Sequence, residues 1–301
     1  MRSSDNITQE IMSVNTDTTG DRRRIRQVHS FFTRHLLEIT RNRTALFWSF
    51  GFPTLFYLMT ITVFIDLDQV PSAVEPAVMG IVAIGYGVFG AVIVCLNAFG
   101  QQLADDIEQR RYSAFRALPL SPSADFIGRS CASILMAAIA FCFVLVVSVL
   151  TGASYSLSSL SALPIVVGAF LLSSLIWIVL ALFIAVIATN GQYVNIISLS
   201  IALISYFGTG FNGTAPSSFA GDLSLLNYLP NSLATRVLSY HMVEIDPEPA
   251  DGAPWEAAGM VPPEMPVGPD YLGLLALYAV VFLTAGLLAM RYSMYKRGAW
   301  E

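Results

Sequence analysis

Apolar residues fall along this chain in long blocks, not in the short alternations of a water-soluble fold. Six blocks, about 45–65, 77–100, 127–150, 163–188, 193–211 and 271–290, are almost wholly apolar. A helix needs roughly 20 such residues to cross the hydrocarbon of a bilayer. Each block predicts a spanning helix, because a helix satisfies its own backbone where no water is present. No Asp, Glu, Lys or Arg occurs between Ser130 and Gly221, so that stretch alone crosses several times.

Ahead of the first block the pattern changes. Ile25, Val28, Phe32, Leu36 and Ile39 recur at helical spacing, with Arg22, Arg23, Arg26, Arg34 and Arg41 among or beside them. This predicts a basic amphipathic helix over 22–43, lying in the membrane interface. Residues 1–21 are rich in Ser, Thr, Asp and Asn and read as a disordered tail. An amphipathic stretch, not an apolar signal core, follows Arg22-Arg23-Arg24. No cleaved signal is expected, and the first span is expected to direct insertion.

The expected fold is therefore all-α and integral to the membrane: a six-helix domain over 44–293 and a short C-terminal segment, 294–301. Two connections stand out. Between spans two and three, residues 101–118 read as a helix. Leu103, Ile107, Ala114 and Leu118 share one face, acids come early and arginines late, and Pro119 ends it. Such a helix is either an interfacial anchor or a handle for a soluble motor. Between spans five and six, 212–270 begins semi-apolar over Ala220 to Met242, which suits short re-entrant or interfacial helices. From Glu244 to Asp270 it has seven acids, seven prolines and no basic residue, which suits a solvated external loop.

Charge fixes the orientation. Only 12% of the chain is charged, about half the usual level for a soluble domain. The net charge of −5 matters less than its placement. With six spans, fifteen of the sixteen basic residues lie on one side and Arg236 alone on the other. The positive-inside rule makes the basic side cytoplasmic, with both ends there, in a multi-pass protein of the plasma membrane. Charge segregated in this way reports topology and does not point to nucleic acid.

Several chemistries are disfavoured. Lys296, the only lysine, is followed by Arg297 and Gly298, so the phosphate-binding loop of an ATPase is absent. His29, His35 and His241 lack metal-ligand spacing, and Cys95, Cys131 and Cys142 sit in apolar segments as packing residues. No ionisable residue lies at mid-depth in a span, which argues against proton-coupled transport. Energy for transport would have to come from another chain. Asn212-Gly213-Thr214 is a glycosylation sequon on the external side.

Glu108, Arg110-Arg111, Ala114 and the run Leu118-Pro119-Leu120-Ser121-Pro122, placed after a second span, resemble the coupling-helix region of ABC-2 type permeases. These are the membrane subunits of ATP-binding-cassette exporters. The basic interfacial helix, the six spans and Leu229-Pro230-Asn231-Ser232 in the external segment resemble the family as well. Tyr112-Ser113 departs from the Gly-Thr that the family often has there.

The resemblance implies a homodimer of permeases in membrane lipid, with two ATP-binding cassette subunits docked beneath. ATP and Mg would bind to those subunits, with no cofactor and no enzymatic activity on this chain. It places Asp105, Asp106, Glu108, Arg110, Arg111 and Arg116 at the contact with the ATPase, flanked by the helix over 25–40. It also puts the pathway between two permeases, largely from spans two and five. Ala83, Gly87 and Ala91 then form a small-residue row for the pathway or for dimer packing, with packing inside the chain equally open. Asn97 and Asn195 are its uncharged polar candidates. The implied function is the permease subunit of an exporter. The uncharged, apolar spans suit an amphipathic, lipid-like or drug-like cargo, with a polymer or peptide as the rival. The alternative is a membrane scaffold or sensor that anchors an ATPase without transporting.

Overall fold

The computed structural model describes residues 3–65, 70–112, 120–188, 190–215, 219, 221–243 and 265–290, with side chains from Arg22 onward and excluding that of Met290. The second half of the coupling segment with Arg116, the acidic loop over 244–264 and the C-terminal basic cluster lie outside the described residues. The chain is helical, with no strand among the described residues. All six predicted spans are present. They are α2 (Arg43–Phe64), α3 (Glu75–Glu108), α4 (Pro122–Leu150), α5 (Ala162–Ala188), α6 (Gly191–Gly208) and α8 (Pro269–Met290). Helix α1 (Ser3–Arg41) precedes them, and α7 (Pro230–Met242) lies between α6 and α8.

The sequence reading began the first helix at 22, after a disordered tail. In the structure α1 already runs from Ser3. Residues 3–21 thus continue the helical backbone of the amphipathic segment, where polar composition had suggested none.

The core is organised around α3. Its most apolar window is buried along its whole length, whereas that of α8 is 17% buried. Helices α2, α4, α5 and α6, with α7, pack around α3, while α8 lies outside them against α5 and α7. Small residues permit the closest approaches. At Gly87 an added Cβ would lie 2.7 Å from the Phe141 ring of α4. At Gly90 it would lie 2.8 Å from the Ser49 carbonyl of α2. That carbonyl is four residues before Pro53, whose ring displaces it from the helical ladder. The adjoining turn widens to a π-helix over Phe47–Gly51, and the displaced oxygen faces the bare backbone at Gly90.

Helix α1 packs its Phe31, His35 and Ile39 side inward, crossing α4 at Gly128. A Cβ at 128 would sit 2.6 Å from the Val28 carbonyl and 2.7 Å from Phe31 Cβ. One residue, Asn42, separates α1 from α2 and caps the latter through Ala45 N–H at 3.0 Å. Helix α7 has 13 residues, too few to cross a bilayer. It is buried against α3 and α5, in the segment where short embedded helices were expected.

Candidate functional site

Helix α3 runs beyond its apolar length and ends in a group of charges. Its Asp106 carboxylate is 1% exposed and receives guanidinium groups from three elements. Arg34 of α1 donates through Nη2 at 2.8 Å, Arg111 after α3 donates through Nη1 at 2.5 Å, and Arg129 of α4 donates to the other oxygen. The positive charges are balanced locally. Arg129 Nε also donates to Asp125 at 2.6 Å, and Tyr112 donates its hydroxyl proton to the same carboxylate at 2.9 Å. Arg34 Nε donates to Glu38 at 3.0 Å, and Arg111 stands 3.9 Å from that glutamate. Three arginines thus face three carboxylates in one network. Asp125 also sits in the first turn of α4, where the helix dipole favours an anion.

His35 is buried beside the network, with Nε2 2.9 Å from Ser133 Oγ. Burial, reinforced by the charge of Arg129, holds its imidazole well below the usual range, so it is neutral at pH 7. The sequence reading made it a polar position on an interfacial helix; the structure puts it inside the contact between α1 and α4. His29 is exposed.

Where the sequence predicted one helix over 101–118, α3 ends at Glu108. Gln109 closes the turn and Arg110 adopts a left-handed backbone, with φ of 53°. The reversal brings Arg111 back onto Asp106. The hydrogen bond from Arg111 to Asp106 offsets part of the cost of a non-glycine residue in that region, about 1–2 kcal/mol. The tip formed by Glu108, Gln109 and Arg110 faces solvent. Glu108 accepts from Asn190 Nδ2 at 3.1 Å, and Asn190 Oδ1 caps α6 at Gln192 N–H. Asp105 is half-buried against Gly191, where no side chain would fit.

The proposed docking residues therefore divide. Glu108 and Arg110 are exposed at the tip. Asp106 is enclosed, which corrects its assignment as a surface contact, and Arg111 is turned toward it. The node also contains residues that the sequence reading did not single out for the site: Arg34, Glu38, Asp125 and Arg129. Their only sequence signal was charge at the edges of two helices.

The small-residue row is buried within the chain. Ala83 and Ala91 are 0% and 4% exposed and Gly87 faces Phe141. The row serves packing inside the protomer, which removes dimer packing as its role in this conformation. A cavity lined by Ala91, Phe170, Ser173 and Trp177 has about 10 Å³, room for one water. Asn97 is buried and Asn195 half-buried.

At the other end of the bundle, Gly210, Phe211, Asn212 and Gly213 all have positive φ, 66°, 55°, 59° and 82°. Asn231 Nδ2 lies 2.9 Å from Asn212 Oδ1 and 2.9 Å from Thr209 Oγ1, joining α7 to this turn. Asn212 is 1% exposed, so the sequon is closed to a glycosylating enzyme in the folded chain. Arg236 of α7 is fully buried and donates to Asn227 at 2.8 Å and to the Gly213 carbonyl at 3.4 Å. Burial lowers it to about 10, still charged at neutral pH.

The charged node, the turn before α4 and five of the six spans lie in residues 26–229, which match the model of the ABC-2 type transporter family over more than half of the chain. The chain belongs to the ABC-2 type transporter family. No curated protein matches it beyond chance. As an ABC-2 permease it is a multi-pass membrane protein and the transmembrane component of an ATP-binding-cassette transporter, not its ATPase. Family membership implies association with an ATP-binding cassette subunit. The matched region ends at Leu229, so α7 and α8 are described by this chain's own structure alone.

Proposed function

We propose that this chain is the permease of an ATP-driven exporter, coupled to its motor through the exposed tip Glu108–Arg110 and the ion-paired node behind it. The observation that carries this reading is the convergence of α1, α3 and α4 on Asp106. A force applied at the tip reaches the central helix α3 directly, reaches α4 through a buried charge pair, and reaches α1 through the half-exposed pair of Arg34 with Asp106. Charge pairs of this kind hold defined geometry, because a partner left behind in a buried site is costly.

In the full assembly two permeases pair as a homodimer, and two cassette subunits bind ATP and Mg on the cytoplasmic face of the plasma membrane. Both termini lie on that face. The tight packing beside Ala91 supports a pathway formed between permeases in preference to one through a single chain. The uncharged spans suit an amphipathic, lipid-like or drug-like cargo.

The test is co-reconstitution of the permease and its cassette subunit into vesicles, reading ATP-dependent movement of a fluorescent amphipathic probe. Movement that requires both chains and ATP is the expected result. A bound, ATP-hydrolysing cassette subunit with no movement of any amphipathic probe would refute the exporter reading and favour the anchoring scaffold.

A further inference from the structure

The outer side of α1 carries a feature that the coupling node does not use. Arg23, Arg26, Gln27, Ser30 and Arg34, with apolar Phe31 and Leu120, line an open groove of about 490 Å³. Arg23 and Arg26 are both exposed and stand three residues apart, on neighbouring positions of one helix. Arg34, deeper in the same lining, donates to Glu38 and Asp106, and Arg23 and Arg26 add positive charge at the mouth.

Two joints fix the level of this groove. Residues 28, 31 and 32 of α1 lie against Gly128 at the start of the third span. Asn42 alone separates α1 from the first residue of the first span. Helix α1 is thereby held where two spans enter the membrane. Ile25 and Leu37 are 68% and 48% exposed on it, as suits a helix in contact with lipid. The anions always present at that level are phospholipid phosphates.

We propose that the groove holds the phosphate of an anionic phospholipid, with Arg23 and Arg26 on its oxygens. Guanidinium groups form forked hydrogen bonds with phosphate. Phe31 and Leu120 give the groove an apolar lining for the glycerol and upper acyl carbons. That lining and the level at the interface favour a lipid over an acidic protein segment.

The experiment uses the full chain in phosphatidylcholine nanodiscs titrated with fluorescent phosphatidylglycerol. The Arg23→Ala/Arg26→Ala variant is compared with Arg22→Ala/Arg24→Ala, which removes the same charge from exposed positions outside the groove. Two arginines on a headgroup site are worth about thirtyfold in association constant. The groove variant is expected to lose that, and the control several-fold less, with inorganic phosphate leaving bound lipid in place. Equal losses in the two variants, no loss in the first, or release of lipid by inorganic phosphate would each overturn the proposal. So would a groove variant that keeps its lipid but loses the cassette subunit, which would assign the groove to that protein.

Discussion

Replacing Asp106 by Asn keeps the shape of the side chain and removes the charge on which three arginines converge. Removing one partner of a buried ion pair costs about 3–5 kcal/mol when the other is left uncompensated. Here the loss is cushioned. Arg129, 2% exposed, keeps Asp125, and Arg34 keeps Glu38. The Arg34 and Arg111 side chains are 32% and 41% exposed, so solvent screens them and their share is small. The expected destabilisation is about 3 kcal/mol, dominated by Arg129. For a chain of 301 residues that lowers the melting temperature by about 5 °C. Thermal unfolding of the detergent-solubilised chain, followed by intrinsic fluorescence, measures it. Arg111→Ala is the internal comparison, with a cost of about 1 kcal/mol or less. A shift for Asp106→Asn no larger than that for Arg111→Ala would refute the view that this carboxylate holds the node together.

Three other outcomes follow from the same geometry. Arg110→Gly relieves the left-handed backbone at φ 53° and should stabilise the chain by about 1 kcal/mol, seen as a raised melting temperature; a lowered one would show that the Arg110 side chain holds the turn. Gly128→Ala puts a Cβ against the Val28 carbonyl and should cost about 1–3 kcal/mol, with proteolysis of α1 reporting its release from α4. The folded-state value of His35 lies well below 6.5, so as pH falls through 6.5 the unfolded chain takes up a proton that the fold refuses. Wild type should therefore lose about 1 kcal/mol more stability than His35→Gln between pH 6.5 and 5.5, and identical pH profiles would contradict a buried neutral imidazole.

The six spans were legible because hydrocarbon imposes one rule on every crossing segment, and composition alone satisfies or breaks it. The charged segment after span two was legible by position, but its structure was not. Its helical face continued through Gln109 and Arg110, and no local pattern marks the left-handed turn that brings Arg111 back onto Asp106. Arg34 is 72 positions from Asp106, and Arg129 is 23 positions away. Sequence spacing cannot show that α1 and α4 deliver both to one point. For the same reason Asp106 looked like one more surface charge beside Glu108. The row Ala83, Gly87, Ala91 correctly announced close helix packing, and only the fold reveals that its neighbours lie within the chain. Arg236 stood out as the single basic residue of its side, a signal that reported topology and concealed a buried hydrogen-bonded group.

The account rests on a division of labour between an exposed tip and a buried node, and one measurement tests it most directly: co-purification of the cassette subunit with wild type, with Glu108→Ala/Arg110→Ala and with Asp106→Asn. The tip variant gives up the exposed Glu108–Asn190 hydrogen bond, worth about 1 kcal/mol or less, and should stay folded yet lose the cassette subunit. The Asp106→Asn variant, at a temperature where it stays folded, should retain much of the cassette subunit while ATP-dependent movement of cargo falls. Retention of the cassette subunit by the tip variant, at wild-type affinity, would contradict the account.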